Sequence, residues 1–356
     1  MIVRPDGGVG SAPQSSSPRA RAVTINDVAG LAGVSRAAVS KVIRNAYGVS
    51  PAMREKVGRA IVALGYRPNS AARAMRGKSF VIGFEIPGLS NDFLITILKA
   101  AHEALAASEY QLIVAPADAD DYLGARAIES LVDHQVDGLV AVSTAISVEW
   151  LQNIARRIPL VMIGRHDQSV NYDTVVGDDS AGAALVMEHL LSQGHSRIAH
   201  LTRGLAITAP PSRSPHAVRL EGYVEAMTAA GLTENISVVR SGSSQLDSQV
   251  AITPLLASPE RPTAVFAGND EMALGVMHAA KQLGMTFADL AIVGYDDIDI
   301  ASYPGISLSS VNQSGSEMGE VAIRLLLERF EGRTDRREVE MAPVLKVRES
   351  SSSAKR

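Results

Sequence analysis

The first stretch of regular hydrophobic spacing runs from Thr24 to Gly65, where apolar residues recur at helical intervals between capping residues and glycines. Thr24 and Ser35 are suited to cap a first and a second helix, and Ser50 with Pro51 begins a third that Gly65 ends. The first two helices are separated by about three or four residues, the turn length of a helix-turn-helix. The pattern predicts three short helices around a small core.

From residue 80 onward, short apolar runs alternate with longer amphipathic stretches. The apolar runs predict strands at 80–86, 111–115, 138–142, 160–163, 198–201, 264–267 and 291–295. The amphipathic stretches predict helices, among them 93–107, 181–192, 218–230 and 271–283. This alternation is typical of parallel sheets with helices on both faces, and about 270 residues are enough for two such sheets. Ligands bind beyond the carboxyl ends of such strands, so the chemistry is expected in the loops that begin near Pro87, Gly164, Asn269 and Asp296.

The composition is that of a folded α/β protein. Of 356 residues, 46% are hydrophobic, 20% charged and 4% aromatic, which excludes a chain disordered throughout. The chain has no cysteine, which excludes disulfides and thiolate metal sites and fits a reducing cytosol. No apolar run approaches the roughly 20 residues that span a bilayer. Residues 1–20 lack the apolar core of a secretory signal and are expected to form a flexible tail, and no cofactor or metal is predicted.

The charge is distributed unevenly along the chain. Residues 21–78 contain eleven Lys and Arg against two acidic residues, a net charge of +9 in a chain whose total is −4. Because residues 1–20 add +1, residues 79–356 carry −14. A basic segment joined to an acidic body indicates that only the segment meets a polyanion such as DNA, although a solvated helix face is the alternative.

Specific motifs accompany these patterns, most of all Val23–Ser35, which continues through Val39–Val42 and Val49–Pro51 to Gly65–Asn69. Motifs of the body are Ser90–Phe93, Gly194–His195, Arg219–Tyr223, Asn269–Gly275 and Val293–Asp297. In this order they resemble the lactose-repressor (LacI/GalR) family of bacterial regulators, from about Val23 to Arg348. The resemblance implies an all-α, lambda-repressor-like helix-turn-helix headpiece and an α/β body of periplasmic-binding-protein-like type I. That body has two doubly wound parallel-sheet subdomains.

The resemblance also implies the domain boundaries. The headpiece spans 21–66, a hinge helix and linker 67–79, and the effector-binding body 80–349, with tails at 1–20 and 350–356. Within the body, the first subdomain takes about 80–176 plus 312–332. The second takes 177–311 plus 333–349.

The resemblance places the second helix of the headpiece in the major groove, where Arg36, Ala37 and Lys41 would face base edges. It makes Thr24, Ser35 and Ser40 phosphate contacts and adds Arg44 to the DNA-binding residues. Two plainer interpretations stay open: Ser35 only caps its helix, and Lys41 is only solvated. Arg44 stands where the family usually has Asn, and Ala38 where it often has Thr, which leaves the operator sequence open.

The hinge would form a short helix on DNA and enter the minor groove. Asn69 would cap it, Arg73 would contact DNA, and Met75 falls where the family places a Leu wedge that opens a base step. Met is longer and more flexible than Leu, so the fit would be less defined. The alternative is that Met75 packs on the core of the body.

For the body, the resemblance implies a cleft between the subdomains that binds a small polar effector, often a sugar or nucleoside. The implied ligand residues are Asn91, Phe93, Arg219, Asn269, Asp296 and Gln313. Asp296 could instead be a loop cap, and Phe93 simply core. Gly88 and Gly164 occupy positions where many relatives carry Asp, so the effector would differ from a typical hexose or bind in another pose.

The expected function is a cytoplasmic transcriptional regulator, of the repressor type, that binds a near-palindromic DNA operator as a homodimer under effector control. Tetramer formation and the direction of control stay open, and no membrane partner is expected. One rival, a periplasmic sugar-binding protein, requires a signal peptide and no headpiece. The other, an enzyme, has the adjacent Asp296 and Asp297 and eight histidines to draw on. The sequence lacks the spacings typical of a metalloprotease, a nucleophile elbow or a phosphate loop, so catalysis is not expected.

Overall fold

The computed structural model describes residues 23–43, 47–66, 77–117, 121–144, 146–204, 214–242 and 244–352. The chain divides into two compact units, a headpiece that ends at Gly77 and a body that begins at Lys78. The predictions for Arg44, Asn69, Arg73 and Met75 lie outside the described residues. In the described part of the chain, no helix is both long enough and apolar enough to cross a bilayer.

The headpiece contains the three predicted helices: α1 (Ile25–Ala32), α2 (Arg36–Ile43) and α3 (Pro51–Leu64). The backbone N–H of Thr24 donates to Asp27 Oδ2 over 2.7 Å, which confirms the predicted capping of α1. Gly33 and Gly65 end α1 and α3 in the left-handed conformation, with φ of 57° and 60°. The helix ends therefore lie where the local capping signals predict them.

The core of the headpiece is small. Its buried side chains are Val28, Ala29, Ala32, Val39, Val57 and Ala60. Only Val39 of α2 is fully buried, so this helix presents most of its surface outward. Such a small core leaves α2 exposed for contact with another molecule.

The body contains twelve strands and eight helices among its described residues. The strands are β1 (Val81–Ile86), β2 (Gln111–Pro116), β3 (Gly138–Val142), β4 (Leu160–Ile163), β5 (Asp173–Gly177), β6 (Ile198–Arg203), β7 (Ser237–Ser241), β8 (Ala264–Ala267), β9 (Ala291–Tyr295), β10 (Ser309–Asn312), β11 (Glu338–Met341) and β12 (Val344–Lys346). The helices are α4 (Asp92–Ala104), α5 (Asp121–Asp133), α6 (Val148–Ala155), α7 (Asp179–Ser192), α8 (Pro215–Ala229), α9 (Gln245–Leu256), α10 (Asp270–Gln282) and α11 (Gly315–Phe330).

The strands form two six-stranded sheets of the same design. The first has the order β11-β5-β4-β3-β1-β2 and the second β12-β10-β9-β8-β6-β7. Every pairing is parallel except that of β10 with β12. In each sheet the strand order reverses beside the first strand, between β1 and β3 and between β6 and β8. Such a switch point opens a crevice at the carboxyl ends of the strands, which is the usual ligand site of this fold.

Each sheet is covered by helices on both faces. In the first subdomain, α4 and α11 pack on one face of the sheet, and residues of α5 and α6 pack on the other. The second subdomain is covered in the same way, by α9 and α10 on one face and by α7 and α8 on the other. The predicted pair of doubly wound parallel-sheet subdomains is thus confirmed.

The chain crosses between the subdomains three times, near Asp178, near Gln313 and between β11 and β12. The first two crossings lie within about two residues of the predicted ones. The third prediction was wrong, because β11 belongs to the first sheet, where Val339 pairs with Val175 of β5. Only β12 and the residues after it join the second subdomain. Pairing with β5 decides this, since β11 is a short edge strand with little hydrophobic signal of its own.

A carboxyl group is buried in the first subdomain on β1, between β3 and β2. Glu85 is 1% exposed, and its Oε2 accepts a weak hydrogen bond from the N–H of Val142 at 3.3 Å. Burial raises the pKa of Glu85 to about 8, although that hydrogen bond and the charge of Arg165 oppose the rise. At neutral pH this carboxyl group is therefore mostly protonated in the folded protein.

We expect Glu85→Gln to raise the melting temperature at pH 8 by several degrees and to change it little at pH 5. The folded-state pKa of Glu85 exceeds the unfolded value, so ionisation costs stability progressively between about pH 4.5 and 8. The neutral amide avoids this cost, which reaches about 2 to 4 kcal/mol at the upper end. Thermal melts of both proteins between pH 5 and 8 measure the difference, and a difference that does not grow with pH would contradict the assignment.

Candidate functional site

The candidate site lies at the carboxyl edges of the two sheets, around the crossing segment that contains Gln313. The second sheet contributes the ends of β6, β8 and β9, and the first contributes the loops after β1 and β4. All six predicted effector residues lie on these segments or at the start of the helices that follow them. They are Asn91, Phe93, Arg219, Asn269, Asp296 and Gln313.

A buried chain of polar contacts is centred on Arg219 of α8. Its Nε donates to Asp179 Oδ1 over 2.7 Å, and its Nη1 donates to the carbonyl oxygen of Gly268 over 2.6 Å. The other carboxylate oxygen of Asp179 lies 3.1 Å from His166 Nε2. His166 follows β4 in the first subdomain, whereas Asp179 begins α7 in the second. This chain therefore links the two subdomains.

The electrostatics of the chain favour the charged form of each of its members. Burial opposes the ionisation of Asp179, but Arg219 and His166 outweigh it and hold its pKa below the ordinary value. The hydrogen bond to Asp179 in turn raises the pKa of His166. The guanidinium of Arg219 also lies 3.5 Å from the ring centroid of Tyr295, at the end of β9. The arginine is thus held in one position before any ligand arrives.

Asp296 follows Tyr295 and is 8% exposed. Its Oδ1 accepts a hydrogen bond of 2.6 Å from Nε2 of Gln313, which is 5% exposed. Burial raises the pKa of Asp296 to about 7, although the charge of Arg219 and the bond from Gln313 oppose the rise. This bond joins a strand end of the second subdomain to the crossing segment.

The backbone holds Asp296 in an unusual conformation. Asp296 and Asp297 have φ of 110° and 52°, a region that residues other than glycine seldom adopt. Strain of this kind persists where the surrounding structure holds it, and it is common at ligand sites. Asp297 is anchored by Arg348 Nη2 at 2.6 Å and by Asn312 Nδ2 at 2.9 Å. Of the two carboxylates, Asp296 is thus the one that is not committed to an ion pair with a basic side chain.

Asn91 and Asn269 each cap the helix that follows a strand, Asn91 after β1 and Asn269 after β8. Asn91 caps α4 by accepting from the N–H of Phe93, and Asn269 caps α10 by accepting from the N–H of Met272, both over 2.9 Å. In each case the Oδ1 atom is engaged, so the Nδ2 group is what remains for a ligand. Neither asparagine was predicted to be a helix cap.

Phe93 lies between the two subdomains. Its half-buried side chain packs against the core of the first subdomain and also against that of the second. It covers Gly315, where a Cβ atom would come within 2.6 Å of the ring. Phe93 is therefore neither simply core nor free, but a contact whose packing changes if the subdomains move.

Gly88 and Gly164 have φ of 100° and 78°. A Cβ atom on Gly164 would also come within 2.4 Å of Ser143 Oγ. These loops therefore accommodate glycine more easily than the Asp that the resemblance leads one to expect there.

The headpiece presents the predicted base-reading residues together. Arg36, Ala37 and Lys41 are all exposed on α2. Ser35 caps this helix, because its Oγ accepts from the N–H of Ala38 at 3.1 Å. The cap interpretation of Ser35 is thus confirmed, and its phosphate contact stays a prediction. Thr24 Oγ1 donates to Asp27 Oδ2 over 2.7 Å, and Ser40 is half-buried.

Sequence reasoning missed five further residues of the body site. They are His166, Asp179, Arg203, His216 and Tyr295. The one available signal was position, since each ends or follows a strand or begins the next helix at a carboxyl edge. None belongs to a motif whose spacing alone predicts a ligand contact.

A separate groove of about 440 Å³ lies on the first subdomain. None of the six predicted effector residues lines it. Its lining is Gly88, Pro116, Ala117, Leu123, Arg126 and Ala127. We place the candidate site around Gln313 instead, because the buried polar groups converge there.

Two family models match the chain. One, "Bacterial regulatory proteins, lacI family", covers residues 24–69, and the other, "Periplasmic binding protein-like domain", covers residues 187–351. The ribose operon repressor of Escherichia coli (strain K12) is 33% identical over 335 residues, or 92% of this chain and 99% of that protein. The chain belongs to the lacI family of bacterial regulatory proteins. Catabolite control protein A of Priestia megaterium is 32% identical and aligns with 85% of this lacI-family chain and 91% of its own.

Solved structures agree with this membership. The lac repressor dimer bound to operator and the anti-inducer ONPF is 26% identical, with a TM-score of 0.78 over 94% of this chain and all of that chain. A LacI family transcriptional regulator from Enterococcus faecium with bound ribose is also 26% identical, with a TM-score of 0.68 over 77% of this chain and all of its own. As a lacI-family member, the protein is a DNA-binding regulator of the repressor type with a ligand-binding body.

Proposed function

We propose that this protein binds a near-palindromic operator as a homodimer and that a small polar effector, a sugar or related metabolite, controls its affinity for DNA. The observation that carries the proposal is the buried chain His166–Asp179–Arg219, which joins the subdomains beside Asp296 at the edge where this fold binds ligands. Buried charges of this kind are expensive to keep in a purely structural role. We assign no reaction to the site, and turnover of a bound ligand would contradict that.

The residues of the cleft suit a hydroxylated ligand. Asp296 accepts hydrogen bonds, Arg219 donates them, and the amides of Asn91, Asn269 and Gln313 do both. Phe93 offers an apolar face for a sugar ring. Two relatives point to sugars: one is a ribose operon repressor, and one solved structure contains ribose.

Control follows from differential affinity. A ligand that fits one angle between the subdomains better than another shifts the protein toward that angle. A coupling free energy of about 1 to 3 kcal/mol would change the affinity for DNA roughly 5- to 150-fold. Induction and corepression both fit this scheme. Action on DNA places the protein in the cytoplasm.

Thermal shift with a panel of sugars, polyols and nucleosides, beginning with D-ribose, tests the sensor function. A ligand at 100 times its Kd adds about 2.7 kcal/mol of stability. A ligand that stabilises the protein must also change its affinity for an operator. Stabilisation without any change in DNA binding would contradict the coupling.

Dimer formation is supported by an apolar stripe on α9. Leu246 and Val250 are one helical turn apart and each is 65% exposed. A single headpiece contacts too little DNA for tight and specific binding, so two copies are needed for a palindromic site. The lac repressor structure with a comparable fold is a dimer on its operator.

We expect a Leu246→Lys, Val250→Lys double variant to sediment as a monomer at concentrations where the wild type is a dimer. Two desolvated charges would oppose an apolar contact, and operator affinity should fall at least about tenfold because half of the DNA contacts are lost. Val170→Lys is the matched control, because Val170 is 72% exposed but lies in a loop of the first subdomain. A wild-type monomer with full operator affinity would refute the dimer.

We expect Lys41→Ala to weaken binding by about 1 to 3 kcal/mol on a duplex enriched from a random library by the wild type. The loss should be smaller on unselected DNA, because a base contact is absent there. Arg59→Ala is the control, since Arg59 is an exposed cation of α3 that lies 3.8 Å from Glu55. Equal losses on both duplexes would assign Lys41 to a phosphate contact.

A further inference from the structure

Arg203 is the last residue of β6 and lies at the carboxyl edge of the second sheet. Its neighbours on this edge belong to the candidate site, because β6 pairs with β8 up to Leu201 and Ala267, two residues before Asn269. On the other side, Arg203 pairs through its backbone with Ser241 of β7. Its side chain is half-buried rather than extended into solvent. The arginine is thus built into the edge where a ligand would bind.

The charge of Arg203 has no ion-pair partner in the part of the chain that the structure describes. Within the described ranges of the chain, its guanidinium makes no ion pair and no hydrogen bond with another side chain. Burial lowers its pKa, the sign of a cation that has lost water and gained no anion. The carboxylate of Glu271, at the start of α10, does not pair with Arg203. It accepts a hydrogen bond from Gln245 Nε2 at 2.7 Å.

The sequence around Arg203 offers no anion either. Residues 203–219 contain three arginines and one histidine and neither Asp nor Glu. The other cation of the site, Arg219, is neutralised by Asp179 at 2.7 Å. Asp296 is partly protonated at neutral pH because burial raises its pKa to about 7. Among the described residues, the positive charge of Arg203 is therefore left without an ion-pair partner at this edge.

His216, at the start of α8, adds a second unsatisfied group. Its Nδ1 atom is buried and has no hydrogen-bond partner among the described residues. It lies against Gly268, where a Cβ atom would come within 2.8 Å of Nδ1. Burial, together with the charges of Arg219 and Arg203, lowers the pKa of His216, so the ring is neutral and one nitrogen carries a proton to donate. A buried polar atom without a partner is expected to be satisfied by a ligand or an ordered water.

We propose that Arg203 binds an anionic group of the effector, so that the effector is a polyhydroxylated compound with a carboxylate or a phosphate rather than a neutral sugar. The neutral His216 contributes a hydrogen bond beside it. The proposal rests on the proposed sensor function and specifies its ligand class. Partial burial of the Arg203 guanidinium costs desolvation free energy, and a bound anion offsets that cost. Arg203 is therefore a specificity-determining residue.

Calorimetric titration of the full-length protein with matched charged and neutral probes tests the proposal. The pairs are D-ribose 5-phosphate with D-ribose, and D-gluconate with D-glucose, with inorganic phosphate as the minimal anion. We expect at least one anionic member to bind about tenfold or more tightly than its neutral partner. The pair that shows the preference distinguishes a sugar phosphate from a sugar acid.

Variants separate the role of the Arg203 side chain in ligand binding from its effect on the stability of the fold. Arg203→Met should bring the ratio of affinities within a pair close to one, and Arg203→Lys should keep part of the preference. Without ligand, Arg203→Met should raise the melting temperature by about 2 °C, because a half-buried cation without a partner is removed. Arg240→Met is the control: it removes the same charge from an exposed position on the adjacent strand and should leave the ratio unchanged.

Three results would overturn the assignment. Neutral probes that bind as tightly as their charged partners would overturn it and leave the sensor function standing. A charged preference that survives Arg203→Met would assign the anion to another group. If no probe, charged or neutral, bound in the titrations, the result would overturn the assignment and contradict the sensor function as well.

Discussion

We expect Asp173→Ala to lower the free energy of unfolding of the body by about 3 to 5 kcal/mol at pH 7, the usual cost of removing one partner of a buried ion pair. Asp173 begins β5 and is fully buried. Its two oxygens accept hydrogen bonds from Nε and Nη2 of Arg329 at 2.7 and 2.8 Å. Arg333 Nη2 adds a further one at 2.7 Å, and the backbone N–H of Arg337 another at 2.8 Å. The variant would leave the largely buried guanidinium of Arg329 without a carboxylate and that of Arg333 with Glu328 alone.

The pH dependence and a control sharpen this experiment. Burial opposes the ionisation of Asp173, but the bonds from Arg329 and Arg333 outweigh it and lower its pKa. Its contribution to stability is therefore fully present above the ordinary value of 3.8 and is lost as the pH falls through the lower folded-state value. Glu328→Ala is the control, because Glu328 pairs with Arg333 and Arg337 but is 30% exposed, so it should cost less than about 1 kcal/mol. Equal losses in denaturant melts of the two variants would contradict the assignment.

The second large effect is expected for Asp296→Ala. It should weaken the ligand that most stabilises the wild type by about 2 to 4 kcal/mol, roughly 30- to 1,000-fold, because charge-assisted hydrogen bonds to ligand hydroxyls are lost. Operator affinity without ligand should change little, since Asp296 lies in the body. The measurement is a calorimetric titration together with operator binding at increasing ligand concentration. Asp299→Ala, an exposed acidic residue of the same loop, is the control.

The pH dependence of ligand binding provides an independent check of Asp296. Its pKa is about 7 in the free protein, whereas the ionised form is the stronger acceptor for hydroxyl groups. Below pH 7 the competent fraction falls about tenfold per unit, and the apparent affinity should fall with it. Asp296→Asn should bind weakly at every pH between 5.5 and 8. A variant that responds like the wild type would remove Asp296 from the ligand site.

The two experiments probe opposite edges of the sheets. Asp173 lies at the amino end of its strand, where it joins β5 to residues at and just beyond the end of α11. Asp296 and Arg203 lie at carboxyl ends, where the chain keeps strain and an uncompensated charge. The hydrogen bonds of Asp173 stabilise the amino edge of the first sheet, which is not part of the candidate ligand site. The carboxyl edge retains groups that are left for a ligand or an ordered water to satisfy.

Much of the fold could be predicted from local patterns. Capping residues set the ends of the headpiece helices, as with Thr24 and Gly65, because a cap satisfies backbone groups within the same few residues. The core strands β3, β4 and β8 were predicted because a strand buried on both faces is a continuous apolar run. Strands such as β5 and β10 were missed, since Asp173, Ser309 and Ser310 give them a polar appearance. Their polar groups are satisfied by distant partners.

The candidate site divides in the same way. Arg219, Asp296 and Gln313 were predicted from the family resemblance, and the structure brings them to one edge. By itself, the sequence determined the helix caps, the alternation of strands and helices, and the basic headpiece, because each depends on neighbours along the chain. Only the tertiary structure decided that β11 joins the first sheet and that Asp179 neutralises Arg219 forty positions away. It also decided that no carboxylate of the described residues pairs with Arg203. Those outcomes depend on contacts between residues that are far apart in the sequence, and local sequence patterns do not predict such contacts.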